Sequence, residues 1–263
     1  MNKLTGFAIR NSKLLTVIAT LIWFTLLTAV AVFFEFSYII CGIIAVVLSF
    51  ISKRYIEAIC HFAIGSGFKK LKEQCDPYPL LDVTEKLIEY DISPWHTRIA
   101  IMDRCCALAC VGRTKEAYDT MVSINIEEPP QVHYITKVMY YNNLMDFATR
   151  LGLYHEAEQS YEKALKLYED MPEGKTKDRN LHLFRHAEYM AAYRDGDYAK
   201  AIELIESVEN NCIQSKVDAT MFSAKCYIAL GETEKAREAL DFVIKNANKT
   251  CFGKEAEELL KSL

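Results

Sequence analysis

Three groups of residues carry side chains or backbone that could do chemistry. Cys105, Cys106 and Cys110 stand close together, as metal-binding or redox thiols do. Thiolate sites for zinc need a second group of Cys or His at a set distance. None stands nearby, so the three are read as packing residues. His182 and His186 are four apart, which lets two imidazoles on one helix face reach one ion. No Glu follows His182 as in zinc peptidases and no third ligand is evident, so the pair is read as solvated or ligand-facing. Gly65-Ser66-Gly67 lacks the Gly-Lys-Ser/Thr ending of a phosphate-binding loop and is read as a flexible joint. No nucleophile elbow, dinucleotide fingerprint or kinase signature appears elsewhere. The sequence is therefore read as a non-enzyme that calls for no cofactor and no metal.

The elements that would position any other site come from two different kinds of chain. Residues 14–34 are 21 positions without a charge, and after Glu35 residues 36–51 add another 16. As a helix the first stretch is about 31 Å long, enough to cross a hydrocarbon core, and Lys53 and Arg54 can snorkel from the end of the second. One helix through both would overshoot the bilayer, so the reading is a hairpin turning near Glu35. Cys41, Ala45 and Ser49 give its second helix a small-residue face for close packing. Lys3, Arg10 and Lys13 precede the hairpin, Lys53 and Arg54 follow it, and the connection carries no basic residue. The positive-inside rule then puts both termini and everything after residue 52 in the cytoplasm, in a protein integral to a bacterial plasma membrane.

Of the 31 basic and 35 acidic residues, only Lys3, Arg10, Lys13 and Glu35 precede Lys53, so the rest of the chain carries a net charge of −6. That balance excludes nucleic acid as a partner, because a phosphate backbone is held by clustered Lys and Arg. Nine cysteines in no regular framework are those of a reducing compartment. Residues 53–78 mix Ile56, Ile59, Phe62 and Ala63 with Lys69, Lys70 and Lys72. They are read either as an amphipathic helix along anionic membrane lipid or as a connecting core helix.

From residue 79 a pattern recurs. Gly112, Gly152, Gly196 and Gly231 are each followed five places on by Ala117, Ala157, Ala201 and Ala236. Further positions on the same helical face are Met121, Tyr161, Ile205 and Leu240. Four places before the glycines stand Leu108, Ala148, Ala192 and Tyr227, and seven before stand Cys105, Met145, Tyr189 and Ala224. Each unit is thus a pair of antiparallel helices joined at a glycine, with alanine where the two cross. The glycines are 40, 44 and 35 residues apart. The excess over a regular period falls in residues 127–130 and 169–178, which hold proline and charge.

This arrangement resembles the tetratricopeptide repeat (TPR) family, whose period is about 34 residues. The fourth unit matches the family pattern with Ala224, Tyr227, Gly231, Ala236 and Leu240, and the second with Gly152, Tyr154, Ala157, Tyr161 and Ala164. Leu108 and Ala192 depart at an aromatic position, and Met145 and Tyr189 at a small one. The resemblance implies an all-α, TPR-like helical-repeat solenoid of about four units, with flanking helices capping its two ends. The domains expected are residues 1–52 as membrane anchor, 53–78 as the juxtamembrane element and 79–263 as the cytoplasmic repeat domain.

In that family the first helices of the units line a concave groove for an extended peptide or partner helix. The matching positions are Met102 and Cys106 in unit one, and Asn142, Asn143, Asp146 and Arg150 in unit two. Unit three supplies His186, Met190, Tyr193 and Arg194, and unit four Met221 and Lys225. Amides with Arg and Tyr suit hydrogen bonding to a peptide. The family's clamp for a terminal carboxylate is matched by Asn143 alone, which argues against chaperone-tail recognition. The expected function is an adaptor that docks a protein or peptide ligand at the membrane. The competing expectation is an accessory subunit of a membrane enzyme or transporter, acting through its hairpin.

Overall fold

Four glycine turns set the architecture. The computed structural model describes residues 3–91, 94–127, 134–179, 181–208 and 211–263. In it Gly112, Gly152, Gly196 and Gly231 hold φ values of 86°, 72°, 79° and 74°, a region in which a Cβ is costly. After each glycine the next N–H donates back to the carbonyl four places before the glycine. These bonds are Arg113 to Leu108 (2.9 Å), Leu153 to Ala148 (2.9 Å), Asp197 to Ala192 (3.0 Å) and Glu232 to Tyr227 (2.9 Å). That closure ends one helix and aims the chain back along it.

The described residues form helices only. They are α1 (Lys3–Arg10), α2 (Ser12–Phe34), α3 (Tyr38–Gln74), α4 (Tyr78–Tyr90), α5 (Pro94–Cys110), α6 (Thr114–Val122) and α7 (Tyr134–Arg150). There follow α8 (Tyr154–Glu169), α9 (Lys175–Arg179), α10 (Leu181–Arg194), α11 (Tyr198–Ser207), α12 (Ile213–Ala229), α13 (Thr233–Asn246) and α14 (Phe252–Ser262). The four repeat units are α5/α6, α7/α8, α10/α11 and α12/α13. The short α9 lies in the inserted loop between units two and three, whereas most of the insertion between units one and two lies outside the described residues.

Ala117, Ala157, Ala201 and Ala236 are all fully buried where the paired helices cross. Close-packed helices leave no room there for a longer side chain. Met121, Leu240, Leu108, Ala148, Cys105 and Met145 fill the faces that the spacing assigns to the core. Successive units then pack α6 on α7, α10 on α7 and α8, and α11 on α12.

Ahead of the stack, α2 and α3 form an antiparallel hairpin, and both are long and apolar enough to cross a membrane. Glu35 makes the turn in the left-handed conformation (φ 56°) without help from Gly or Pro. Cys41 and Ala45 are buried along the hairpin seam, as is Ala31 of α2, and Trp23 donates its Nε1–H to Ser52 Oγ at 3.0 Å. The N-terminal α1 folds back on the end of the hairpin next to the repeat stack, where Ile9 is fully buried in the same core as Cys60, Ile64 and Leu87. The start of the chain and the repeat stack therefore lie at the same end of the hairpin.

Two expectations are corrected. Gly65-Ser66-Gly67 is no joint: α3 runs unbroken through it for 37 residues, about 55 Å. Gly67 is instead a close-approach point, since a Cβ there would sit 2.9 Å from the Leu80 Cα of α4. In this part of α3 Ile56 and Ala63 are buried, whereas Phe62 is 75% exposed. The flanking helices do pack on their neighbours, α4 on α5 and α14 on α13, yet the stack does not have two separate ends. Asn248 donates to Gln74 O (2.6 Å), and Lys249 Nζ pairs with Asp76 Oδ2 at 2.6 Å. Cys251 N–H donates to Cys110 O at 2.8 Å. The corner between α13 and α14 thus docks on the ends of α3 and α5, and α12 packs along α3, so the superhelix closes on itself.

Candidate partner-binding cavity

The inner side of the closed path holds a cavity of about 860 Å³ that is partly open to its surroundings. Its walls are the inner faces of α5, α7, α10 and α12, which is where the spacing of the repeats turns the first helix of each unit. Further lining comes from Phe68, Leu71 and Lys72 of α3 and from Phe252 of α14. On α7 the division of faces is sharp. Asn142, Asn143, Asp146 and Arg150 line the cavity while Met145 and Ala148 are buried in the core behind.

Arg150 is the electrostatic centre of this space. Its Nε donates to Asp146 Oδ1 at 2.8 Å and its Nη2 to Asp218 Oδ1 at 2.9 Å, with all three side chains 14–15% exposed. The guanidinium lies 4.9 Å from the Phe252 ring and 5.7 Å from that of Phe222, positions that favour a cation over an aromatic face. His186 Nε2 stands 4.0 Å from Asp218 Oδ2. Burial alone would raise the Asp218 carboxyl, but Arg150 and then His186 outweigh it and hold the group at about 2. For Arg150 burial opposes the charge, and Asp146 and Asp218 override it, so the guanidinium is held charged more firmly than usual. One network thereby ties together α7, α10, α12 and α14.

Around that centre, besides Lys72 and Asp178, the cavity is lined by amides, thiols and hydroxyls. Asn143 Nδ2 donates to Cys106 Sγ at 3.2 Å. The Cys106 thiol is pushed well above its usual range, first by burial and then by Asp103 and the neighbouring thiols. It is therefore a packing and hydrogen-bonding group and a poor nucleophile. Gln214 and Ser215 of α12 add further polar lining. Among the described residues no three His, Cys, Asp or Glu side chains are grouped to hold a metal ion.

Of the residues expected to face a partner, Asn142, Asn143, Asp146, Arg150 and His186 are brought together here, with Cys106. The others are placed elsewhere. Met190 is fully buried in the core between units two and three, and Met102 and Met221 are also core residues. Tyr193 packs edge-on to Phe222 at 5.3 Å and to Tyr198 at 5.8 Å. Arg194 turns to Asp195 (2.7 Å), and Lys225 to Glu255 of α14 (2.6 Å). The side chain of His182 lies outside the described residues. Asp218 was missed: its only sequence signal is an acid three places before Met221 on a first helix, in no proximity to Arg150 along the chain. Phe68 and Lys72 were missed because α3 belongs to no repeat unit. A separate buried acid, Asp103 on α5, lines no part of the cavity, and burial pushes its carboxyl up to about 7.

Comparison with known proteins gives one match. Residues 151–243 match the family model described as anaphase-promoting complex, cyclosome, subunit 3, a family of TPR-like repeats. No curated protein and no solved structure matches significantly. The matched segment begins at the turn of unit two and ends within α13, taking in three of the four glycine turns. Repeat stacks of this kind are typically non-catalytic scaffolds for protein–protein interaction. With its glycine closures and alanine crossings in the register that this match samples, the segment 151–243 is similar to that family of tetratricopeptide-like repeats.

Proposed function

We propose that the chain is a membrane-anchored adaptor that holds a short segment of a cytoplasmic protein in its central cavity. On this reading α2 and the apolar part of α3 cross the membrane. Both termini and the repeat domain face the cytoplasm, since Lys13, Lys53 and Arg54 all lie at the domain end of the hairpin and Glu35 at the other. The observation that supports the reading most is the convergence of Asn142, Asn143 and Gln214 on one cavity beside the ion-paired Arg150 network. Carboxamides can pair with both the N–H and C=O of an extended peptide. The Arg150 guanidinium is already paired with Asp146 and Asp218, so recognition there draws on amide geometry and shape.

A second reading, the accessory subunit acting through its hairpin, draws on the exposed apolar faces of α2 and α3, such as those of Leu21, Phe33 and Ile39. One experiment separates the two. A photo-crosslinking amino acid replaces Met139, at the cavity, or Leu21, on the hairpin, in the full chain in native membranes. A defined partner should be captured from position 139. Its yield should fall about tenfold or more in the Asn143→Ala, Gln214→Ala variant, since truncated hot-spot contacts cost at least 1–2 kcal/mol. Capture from position 21 alone, unaffected by the double variant, would assign the contact to the hairpin instead.

A further inference from the structure

At the domain end of the hairpin, α2 and α3 part to leave a small cleft of about 220 Å³. It is lined by Ser12, Lys13, Thr16, Lys53, Ile56 and Glu57. Its charges do not cancel. Glu57 is answered by Arg54, whose Nη1 donates to its Oε2 at 3.2 Å. Lys13 has only a loose pair with Asp91 at 3.7 Å, with both side chains more than half exposed, which holds it weakly. Lys53 makes no ion pair among the described residues.

The wall between the lysines also lacks a partner. Ser12 is only 3% exposed, and its hydroxyl makes no hydrogen bond among the described residues, although Thr16 donates to its carbonyl at 2.8 Å. Asn11 leaves the N-terminus of the 23-residue α2 uncapped by a side chain, because its Nδ2 donates back to Phe7 O at 2.8 Å. A helix start with its partial positive charge, the Ser12 hydroxyl and two ammonium groups suit a cluster of anionic oxygens. Just beyond the cleft, exposed Val17 and Leu21 of α2 offer an apolar track for hydrocarbon.

We propose that this cleft binds the phosphate of an anionic phospholipid, with the acyl chains lying along α2. The inference rests on the reading that the hairpin spans the membrane, which would set Lys13 and Lys53 at headgroup depth. Basic pockets between spanning helices on the cytoplasmic side are the sites that such lipids occupy.

The test uses the full chain in nanodiscs of phosphatidylcholine alone or mixed with phosphatidylglycerol, followed by native mass spectrometry to count retained lipids. Phosphatidylglycerol should be retained in preference to phosphatidylcholine. Lys13→Gln with Lys53→Gln should weaken that preference roughly thirtyfold, at about a factor of five for each lysine. Lys13→Arg with Lys53→Arg should keep it, and so should Lys69→Gln with Lys70→Gln, a charge-matched control on an exposed face. Thermal unfolding of each variant in phosphatidylcholine alone separates loss of binding from loss of fold. Equal retention of the two lipids by an inserted chain overturns the proposal. So does full protection by inorganic phosphate alone, which would make this a free-phosphate site. Extraction of the chain from membranes by alkaline carbonate is a different failure, and would remove the spanning reading itself.

Discussion

Replacing Arg150 by methionine keeps the length of the stem and deletes the charge on which the cavity is organised. Two carboxylates, Asp146 and Asp218, are then left about 14% exposed without their cation. Removing one partner of such a buried pair costs about 3–5 kcal/mol, because the remaining charge stays desolvated. At pH 7 the full chain in detergent should lose about that much stability. For a domain of this size that is a fall on the order of 10 °C in the unfolding midpoint. The pH dependence gives a sharper check. In the wild type the Asp218 carboxyl is depressed from 3.8 to about 2. Its contribution, on the order of 2 kcal/mol, is complete above the unfolded value near 4 and is lost as pH falls towards 2. In the variant Asp218 loses the partner that offsets its burial, so acid should relieve the defect and the two stability curves should converge between pH 5 and 3, roughly the range in which carboxylates titrate. Adding Asp146→Asn and Asp218→Asn to Arg150→Met should restore much of the lost stability at pH 7. Denaturant titration followed by circular dichroism measures all of these quantities. A single variant within about 1 kcal/mol of wild type at pH 7, with no convergence in acid, would refute the role of Arg150 as the centre of the closed stack.

Three further outcomes follow from the packing. Ala201→Leu should cost about 1–3 kcal/mol by overpacking the crossing in unit three, while Ala199→Leu on the exposed face should be near neutral; equal melting points would show the register to be wrong. Asp103→Asn should stabilise the chain above pH 7 and change little near pH 4. With a folded value of about 7, the acid loses stability for the protein as pH rises from 3.8 through 7, and paired melts at the two pH values measure the difference. Gly67→Val should force α3 and α4 apart at Leu80 and cost more than Gly65→Val, where a Cβ meets nothing within 4 Å, as judged by thermal melts of the two variants.

What could be read from the sequence follows the range of the interactions involved. The glycine turns and alanine crossings are fixed by contacts within one helix pair, so their spacing is visible in the chain and their register agrees with the structure. The hairpin turn near Glu35 was legible for the same reason, since two apolar stretches flank a single charge. Closure of the stack was not legible. It depends on how the uneven intervals between units set the curve of the superhelix, and on contacts such as Lys249 with Asp76 that join residues 173 positions apart. The cavity was half legible. Unit two matches the family pattern well, and its inward residues fall where the pattern puts them. Unit three carries Tyr189 where the family has a small residue, and that ring packs at 5.8 Å against Phe222 of unit four. Neighbouring Met190, Tyr193 and Arg194 are correspondingly engaged in packing or local pairing. Gly65-Ser66-Gly67 misled because glycine serves flexible joints and close helix contacts alike, and only the position of Leu80 tells which.

Mechanically, α3 is a shaft. With no break over its 37 residues, torque applied to its apolar half reaches Phe68 and Lys72 without a compliant element between. A helix turned by ~10° about its axis carries side-chain tips at a radius of ~6 Å through an arc of ~1 Å. At the wall of the cavity, a shift of that size alters which hydrogen bonds an occupant can make. On the proposed spanning arrangement, rotation of the hairpin in the bilayer and occupancy of the cavity are two ends of one rigid transmission, and each bears a load set by the other.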